Sequence, residues 1–474
     1  MPSKRYRLTL TVEGLVHIGD GGKYGKKDYF LTKQGTIAIL NAPSFVSKLD
    51  QDQLNDYCEF LKKDSRTGLQ EYLRRKGLDA VARGARLYTL DARRDSYQYF
   101  DIWRFVKDAH GCPYVPGSSI KGMLRTAILI SLIARDRQAY EKLYDRGEVL
   151  KKRQRTDGDI QRKAFWVGQL DRDGDSAVND VLRYLSVSDS DPLSVDDLVL
   201  AKKYDKFSQK DDGRHKKKLG KTSDKEAYYQ GNELNIYREC LRPGTTIRTT
   251  LTVDERIGQY FDGLRLDRDG LPKALLFSYE LYQKCFLSHF DIDGKATSTK
   301  KEASSDGVCR YVIQDGPLAG MRCRNRAVGD TGYCNTHKKY ATVGGAAGGS
   351  AQDPICYFGG GIDFNTKTIE NALFVDEGRR VDEVSHILFD QFPTKLDEQR
   401  HAALKAEVQR AGFRSRPMDS QYKRNGQLQK AKEDHRHWRD GALGVSPHTL
   451  KMGKVQDKMY PMGKCRARFE ELDN

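Results

Sequence analysis

Two glycine clusters, far apart in the chain, most constrain the fold. "GLVHIGDGGKYGKKDYF" (14–30) follows the first strand directly, and "CYFGGGIDFNTKT" (356–368) opens toward a helix. Glycine allows tight turns and close backbone approach, so each cluster marks a loop that bends sharply or meets something at short range. Before the first loop, Tyr6, Leu8, Leu10 and Val12 alternate with Arg7, Thr9 and Thr11. That period of two predicts a strand with one buried face. A second alternating strand, through Ile247, Thr249, Leu251 and Val253, follows a turn at Pro243-Gly244. A short strand is expected at 36–40 and helices over 44–82, 273–290 and 395–412. "KCRARFEEL" (464–472) reads as a final strand, and 137–230 as polar and largely irregular. Strands mixed with helices in this order give an α+β fold.

Between the loops lies "YVPGSSIKGMLRTAIL" (114–129). Pro116-Gly117 punctuates the chain, and Ser118 or Ser119 is placed to cap a helix running to about Asp136. Ile120, Met123, Leu124, Ala127 and Ile128 recur at helical spacing and predict a buried stripe. Lys121 and Arg125 lie four apart, close enough to act together. A helix start with free N–H groups, two hydroxyls and two cations suits a phosphate; the plainer reading is a capped amphipathic helix with solvated basic residues.

The net charge of +16, from 82 Lys and Arg against 66 Asp and Glu, points to a polyanionic partner. The excess concentrates at 202–221 and 151–155, which read as phosphate-touching arms or solvated loops. No run approaches 18 apolar residues, the longest being "AILISLIA" (127–134), so a membrane span is not expected. The polar, alternating N-terminus is unlike a signal peptide, and a cytoplasmic protein is expected, with its nine cysteines as thiols or metal ligands.

Four of those candidates stand together at 300–345: Cys309, Cys323, Cys334 and His337, with Gly316, Gly320, Gly329 and Gly332 between them. Three thiolates and an imidazole make a closed structural Zn2+ set, and so short and polar a segment needs such a staple. The other reading is four unrelated reduced residues in an insertion. Arg310, Arg322, Arg324, Arg326 and Lys338 surround the set, so the module can touch RNA or a neighbouring subunit. "DRDGDSAVND" (171–180) looks like a calcium loop but has Leu182 where the twelfth-position glutamate belongs, which excludes it.

Taken in order, "GLVHIGDG", "YVPGSSIKGMLRTAI", "VSDS" before "YRECLRPGT", "YFGGGIDFNTKT" and "VSPHTLKMG" resemble the RAMP superfamily of CRISPR-associated proteins. More narrowly, they resemble the subunit of type III-A (Csm) effector complexes that caps the 3′ end of the guide RNA. The resemblance covers about 1–290 and 355–474, and leaves out 300–345. It implies two ferredoxin-like (RRM-like) domains, 1–240 and 241–474; the zinc-binding insertion falls in the second and departs from the family pattern. It also implies a non-catalytic subunit that binds crRNA, caps the backbone filament, and contacts the backbone and small subunits and target RNA. Carried onto this chain, the RNA-contact residues are His17, Gly19 and Gly21; Ser118, Ser119, Lys121 and Arg125; Gly359, Gly360, Gly361 and Lys367; and His448 and Lys451. Glycine-loop and cationic contacts position RNA without reading its sequence. Tyr6, Tyr114, Tyr357 and Phe358 are possible base stackers, although alternation assigns Tyr6 to the core.

Two other functions compete. RAMP folds include endoribonucleases that cut precursor CRISPR RNA, and His17 could be the general acid or base of such an enzyme. A generic RNA-binding module outside CRISPR systems would act alone and show sequence preference.

Overall fold

The computed structural model describes residues 3–32, 35–63, 67–91, 99–144, 158–166, 168, 177–210, 231–260, 266–291, 353–391 and 440–472. Residues 1–290 and 354–474 group into one compact unit, and 291–353 into another.

The alternation expected in the first strand is present. β1 (Ser3–Val12) buries Tyr6, Leu8, Leu10 and Val12, each no more than 1% exposed. β2 (Gly19–Tyr24), β3 (Tyr29–Leu31) and β4 (Ile37–Leu40) follow. Helices α1 (Ala42–Val46), α2 (Gln51–Lys62), α3 (Leu69–Lys76) and α4 (Asp79–Arg83) fill the stretch expected to be helical. Asn41 caps α1 from its side chain, and Asp50 with Gln53 forms a capping box on α2. β5 (Arg86–Leu90) completes an antiparallel sheet β3-β4-β5. Against it α2 and α3 pack their own aromatic core, in which Phe60 and Tyr72 stack at 4.4 Å and Phe45 meets Tyr57 at 5.2 Å.

β6 (Ile102–Phe105) precedes α5 (Gly117–Arg135), whose Ile120, Leu124, Ala127 and Ile128 are buried as their spacing predicts. By length and composition α5 could cross a membrane, contrary to the expectation from "AILISLIA" alone, yet its apolar side lies in the protein core. β7 (Leu185–Val187), β8 (Leu198–Phe207), β9 (Gly231–Leu241) and β10 (Thr246–Asp254) come next, then α6 (Gly270–Cys285). The C-terminal part supplies β11 (Ile355–Tyr357), β12 (Thr449–Val455), β13 (Lys458–Pro461) and β14 (Lys464–Leu472).

One antiparallel sheet runs β11-β14-β1-β10-β7, with α5 and α6 in the core beneath it. A second runs β13-β12-β8-β9-β6-β2, antiparallel except where β6 meets β9. The α+β class stands. The boundary expected at 240/241 does not coincide with a structural one: it falls inside β9, and the first sheet joins β1 to β10 and β14 from beyond it. Residues 137–230 are also more regular than expected. Lys202, Lys203 and Lys206 lie in β8, not in a solvated arm: Lys202 pairs with Glu233 of β9 at 2.8 Å and Lys203 with Asp205 at 3.6 Å, while 211–221 of that run lies outside the described residues. The expected helix at 395–412, the run at 151–155 and the module at 300–345 lie outside the described residues.

Candidate functional site

The two glycine-rich loops meet on His17. The Gly360 N–H donates to the His17 carbonyl at 2.7 Å. Gly359 has φ +98°, and a Cβ there would sit 2.7 Å from the same carbonyl oxygen, so only glycine allows the approach. The His17 side chain is buried, and its Nδ1 lies 2.7 Å from the Glu239 carbonyl oxygen. A carbonyl only accepts, so Nδ1 carries the proton. Burial drives the imidazole pKa down to about 4, which leaves the ring neutral near pH 7.

Behind His17 the Glu239 carboxylate is fully buried and saturated. Lys107 Nζ donates to Oε2 at 2.6 Å, the Phe105 N–H to Oε2 at 2.7 Å, and the Tyr88 hydroxyl to Oε1 at 2.6 Å. This network ties β5, β6 and β9 together below the loops.

In front of the loops lies a cleft of about 380 Å³, lined by Gly19, Ser118, Ser119, Gly359, Gly360 and Lys367. Six residues named from three separate motifs thus converge on one site. Lys367 reaches back to the Gly359 carbonyl at 3.4 Å. Three tyrosines line the same cleft: Tyr279 and Tyr282 of α6, and Tyr357 of β11. Tyr279 and Tyr357 lie nearly parallel with centroids 6.4 Å apart, and Tyr282 meets Tyr357 edge-on at 5.1 Å. The Tyr282 hydroxyl donates to Asp363 Oδ2 at 3.0 Å, while the Lys451 N–H donates to Asp363 Oδ1 at 2.8 Å. Burial pushes Asp363 up to about 7.

At the mouth of the cleft, the start of α5 differs from expectation. Neither Ser118 nor Ser119 caps it; the Gly117 N–H donates instead to Asp189 Oδ1 at 2.7 Å. A Cβ at Gly117 would lie 2.2 Å from the Val187 carbonyl oxygen, so the Pro-Gly pair admits β7 alongside the helix. The capping carboxylate takes part of the positive potential expected there, and Ser118 and Ser119 are left to line the cleft.

The other named residues are placed elsewhere. Lys121 and Arg125 are not among the cleft-lining residues. Arg125 donates to Asp180 Oδ2 at 2.5 Å and Gln161 Oε1 at 3.0 Å, and lies 4.1 Å over the Phe165 ring. Burial lowers the Lys121 pKa, with Asp180 opposing the shift. Gly21 has φ +84° with open space around it, and Gly361 sits beside the Arg238 guanidinium. His448 Nδ1 lies 2.7 Å from the buried Asp440 carboxylate, and Lys451 Nζ pairs with Asp205 at 3.1 Å. Of the possible stackers, Tyr6 and Phe358 are buried. Cys309, Cys323, Cys334 and His337 lie outside the described residues; among those described, no group of three or more His, Cys, Asp or Glu is placed to hold a metal. Sequence reasoning missed Ser278, Tyr279, Glu239 and Asp363. The spacing of Tyr279 and Tyr282, three apart in an apolar stretch, was the available signal for a shared helical face.

This α+β fold, with its loops closed on one cleft, belongs to the RAMP superfamily, which residues 9–301 match. Among its relatives is the CRISPR system Cms protein Csm5 of Mycobacterium tuberculosis (strain CDC 1551 / Oshkosh), 32% identical over 169 residues. That match covers 32% of this chain and 36% of the relative, little more than a third of its length. Csm5 of Streptococcus thermophilus is 24% identical over 303 residues, covering 61% of this chain and 74% of the relative. A chain from a cryo-EM structure of a Csm–crRNA–target RNA ternary complex of a type III-A CRISPR-Cas system shares the fold. It is 16% identical with a TM-score of 0.54, over 98% of this chain and 100% of the other.

Proposed function

We propose that this chain is a non-catalytic RNA-binding subunit of a type III-A CRISPR interference complex in the cytoplasm. It binds the 3′ region of the crRNA, caps the backbone filament, and supports crRNA maturation and antiviral defence. The observation that carries this reading is the convergence of Gly19, Ser118, Ser119, Gly359, Gly360 and Lys367 on one cleft. Backbone amides, hydroxyls and a cation are the groups that hold a ribose-phosphate chain without reading its sequence, and a net charge of +16 favours such a partner. Similarity to Csm5 supports the place in the complex, with crRNA, target RNA and the other Csm subunits as partners.

For the first sheet, the order β14-β1-β10-β7, with α5 after β1 and α6 after β10, supports a ferredoxin-like unit. A second such unit and a Cys309–Cys323–Cys334–His337 zinc module belong to the same proposal. The endoribonuclease alternative is not favoured: a buried His17 with a pKa near 4 is poorly matched to proton transfer at neutral pH.

The test is to purify the tagged chain from its native host and to sequence bound RNA and weigh bound proteins. Guides of many spacers with a ladder of 3′ ends, alongside repeated backbone subunits, are the expected result. A lone protein cutting precursor repeat RNA at one fixed site would overturn it.

A further inference from the structure

The aromatic wall of the cleft is not needed to hold a phosphate backbone. Three serine hydroxyls, Ser118, Ser119 and Ser278, line the same cavity as Tyr279, Tyr357 and Lys367. Among the described residues none of these hydroxyls has a protein partner. A cavity of about 380 Å³ is in the range of small-ligand sites, which combine an apolar lining with a few placed polar groups. We infer that the cleft receives one nucleobase splayed out of the bound RNA strand, packed on Tyr279 and Tyr357 with its edge toward the three hydroxyls.

This inference rests on the RNA-binding reading above and adds the ligand subsite. Tyrosine faces accept any base, because every base has a π-face. A serine hydroxyl rotates to donate or to accept, so three of them can meet the edge of a purine or a pyrimidine alike. The pocket is therefore sequence-tolerant, as a protein that holds many different guides requires. The strand on either side of the splayed base runs past Lys367 and the Gly359-Gly360 backbone, which line the same cleft. An aromatic side chain from a partner protein would fill the tyrosine wall but leave the three hydroxyls without a use, which favours a base.

The test uses the full chain and two single-stranded probes of equal length at low salt: an oligoribonucleotide, and a ribose-phosphate oligomer lacking every base. The parent is expected to bind the base-bearing probe on the order of tenfold more tightly. In Tyr279→Ala that ratio should fall to near one, with affinity for the abasic probe unchanged, which also shows that the variant is folded. A second readout needs no variant: 4-thiouridine in the RNA should photo-crosslink to peptides containing Tyr279 or Tyr357. Equal binding of the two probes by the parent, or crosslinks confined elsewhere, overturns the base pocket while leaving backbone capture standing. Binding of neither probe overturns the proposed function itself.

Discussion

Lys107 and Glu239 form an ion pair inside the protein, Nζ to Oε2 at 2.6 Å, with the lysine side chain 13% exposed and the glutamate fully buried. Such a pair holds only while every charge and donor is matched. Glu239→Ala leaves the Lys107 ammonium, the Tyr88 hydroxyl and the Phe105 N–H without their acceptor. The expected loss is about 3–5 kcal/mol, read by chemical denaturation; a loss below about 1 kcal/mol would mean that the network contributes little.

His17 makes stability depend on pH. Its pKa falls from 6.5 in the unfolded chain to about 4 when folded, because burial penalises the charged ring. Between those values the unfolded chain binds the extra proton, so stability drops as pH falls from about 6.5 toward 4, by about 3 kcal/mol in full. Asp363 works in the opposite sense: its pKa rises from 3.8 to about 7, so its contribution weakens as pH rises through the same window. The readout is therefore the difference between parent and His17→Asn across pH 4–7. A parallel pair of curves would refute the assignment to His17.

Gly359→Ala tests the loop contact. The added methyl meets the His17 carbonyl oxygen at 2.7 Å, and φ +98° disfavours any side chain. A cost on the order of 1–3 kcal/mol is expected from the backbone alone, together with weaker RNA binding as the cleft opens. Retention of both stability and affinity would show that the loops can part without consequence.

Arg125 and Lys367 should separate stability from binding. Arg125→Ala removes two hydrogen bonds and a ring contact within the fold, so its first effect is a loss of about 1.5–3 kcal/mol in unfolding free energy. Lys367→Ala should leave the unfolding curve nearly unchanged. It should weaken RNA binding and lower the salt dependence by about one phosphate contact. The reverse pattern would place the RNA on the outer face of α5.

How much of this was legible beforehand depended on the range of the forces involved. β1 could be read because one buried face stamps a period of two on Tyr6, Leu8, Leu10 and Val12. The body of α5 was equally plain, but its cap was not. Asp189, which accepts from Gly117, is 72 positions away, and local rules offered the nearer Ser118 and Ser119. The lysines of β8 looked like a solvated run because the acid that balances Lys202 and Lys454 is Glu233, on a neighbouring strand. Both glycine loops announced themselves, whereas their meeting on His17 is a tertiary contact that neither loop encodes alone. The tyrosine wall was half visible: Tyr357 sits beside a glycine cluster, but Tyr279 lies in an ordinary amphipathic helix.

The pairing of β1 with β14 also has a bearing on how the protein is made. Among the described strands β1 is made before the others and β14 after them, yet the two lie side by side, with β10 on the other flank of β1. At about 5–20 residues per second, β1 waits tens of seconds for its neighbour, with an open strand edge throughout. The first sheet closes only after β14 has been made, so its folding cannot follow the order of synthesis strand by strand.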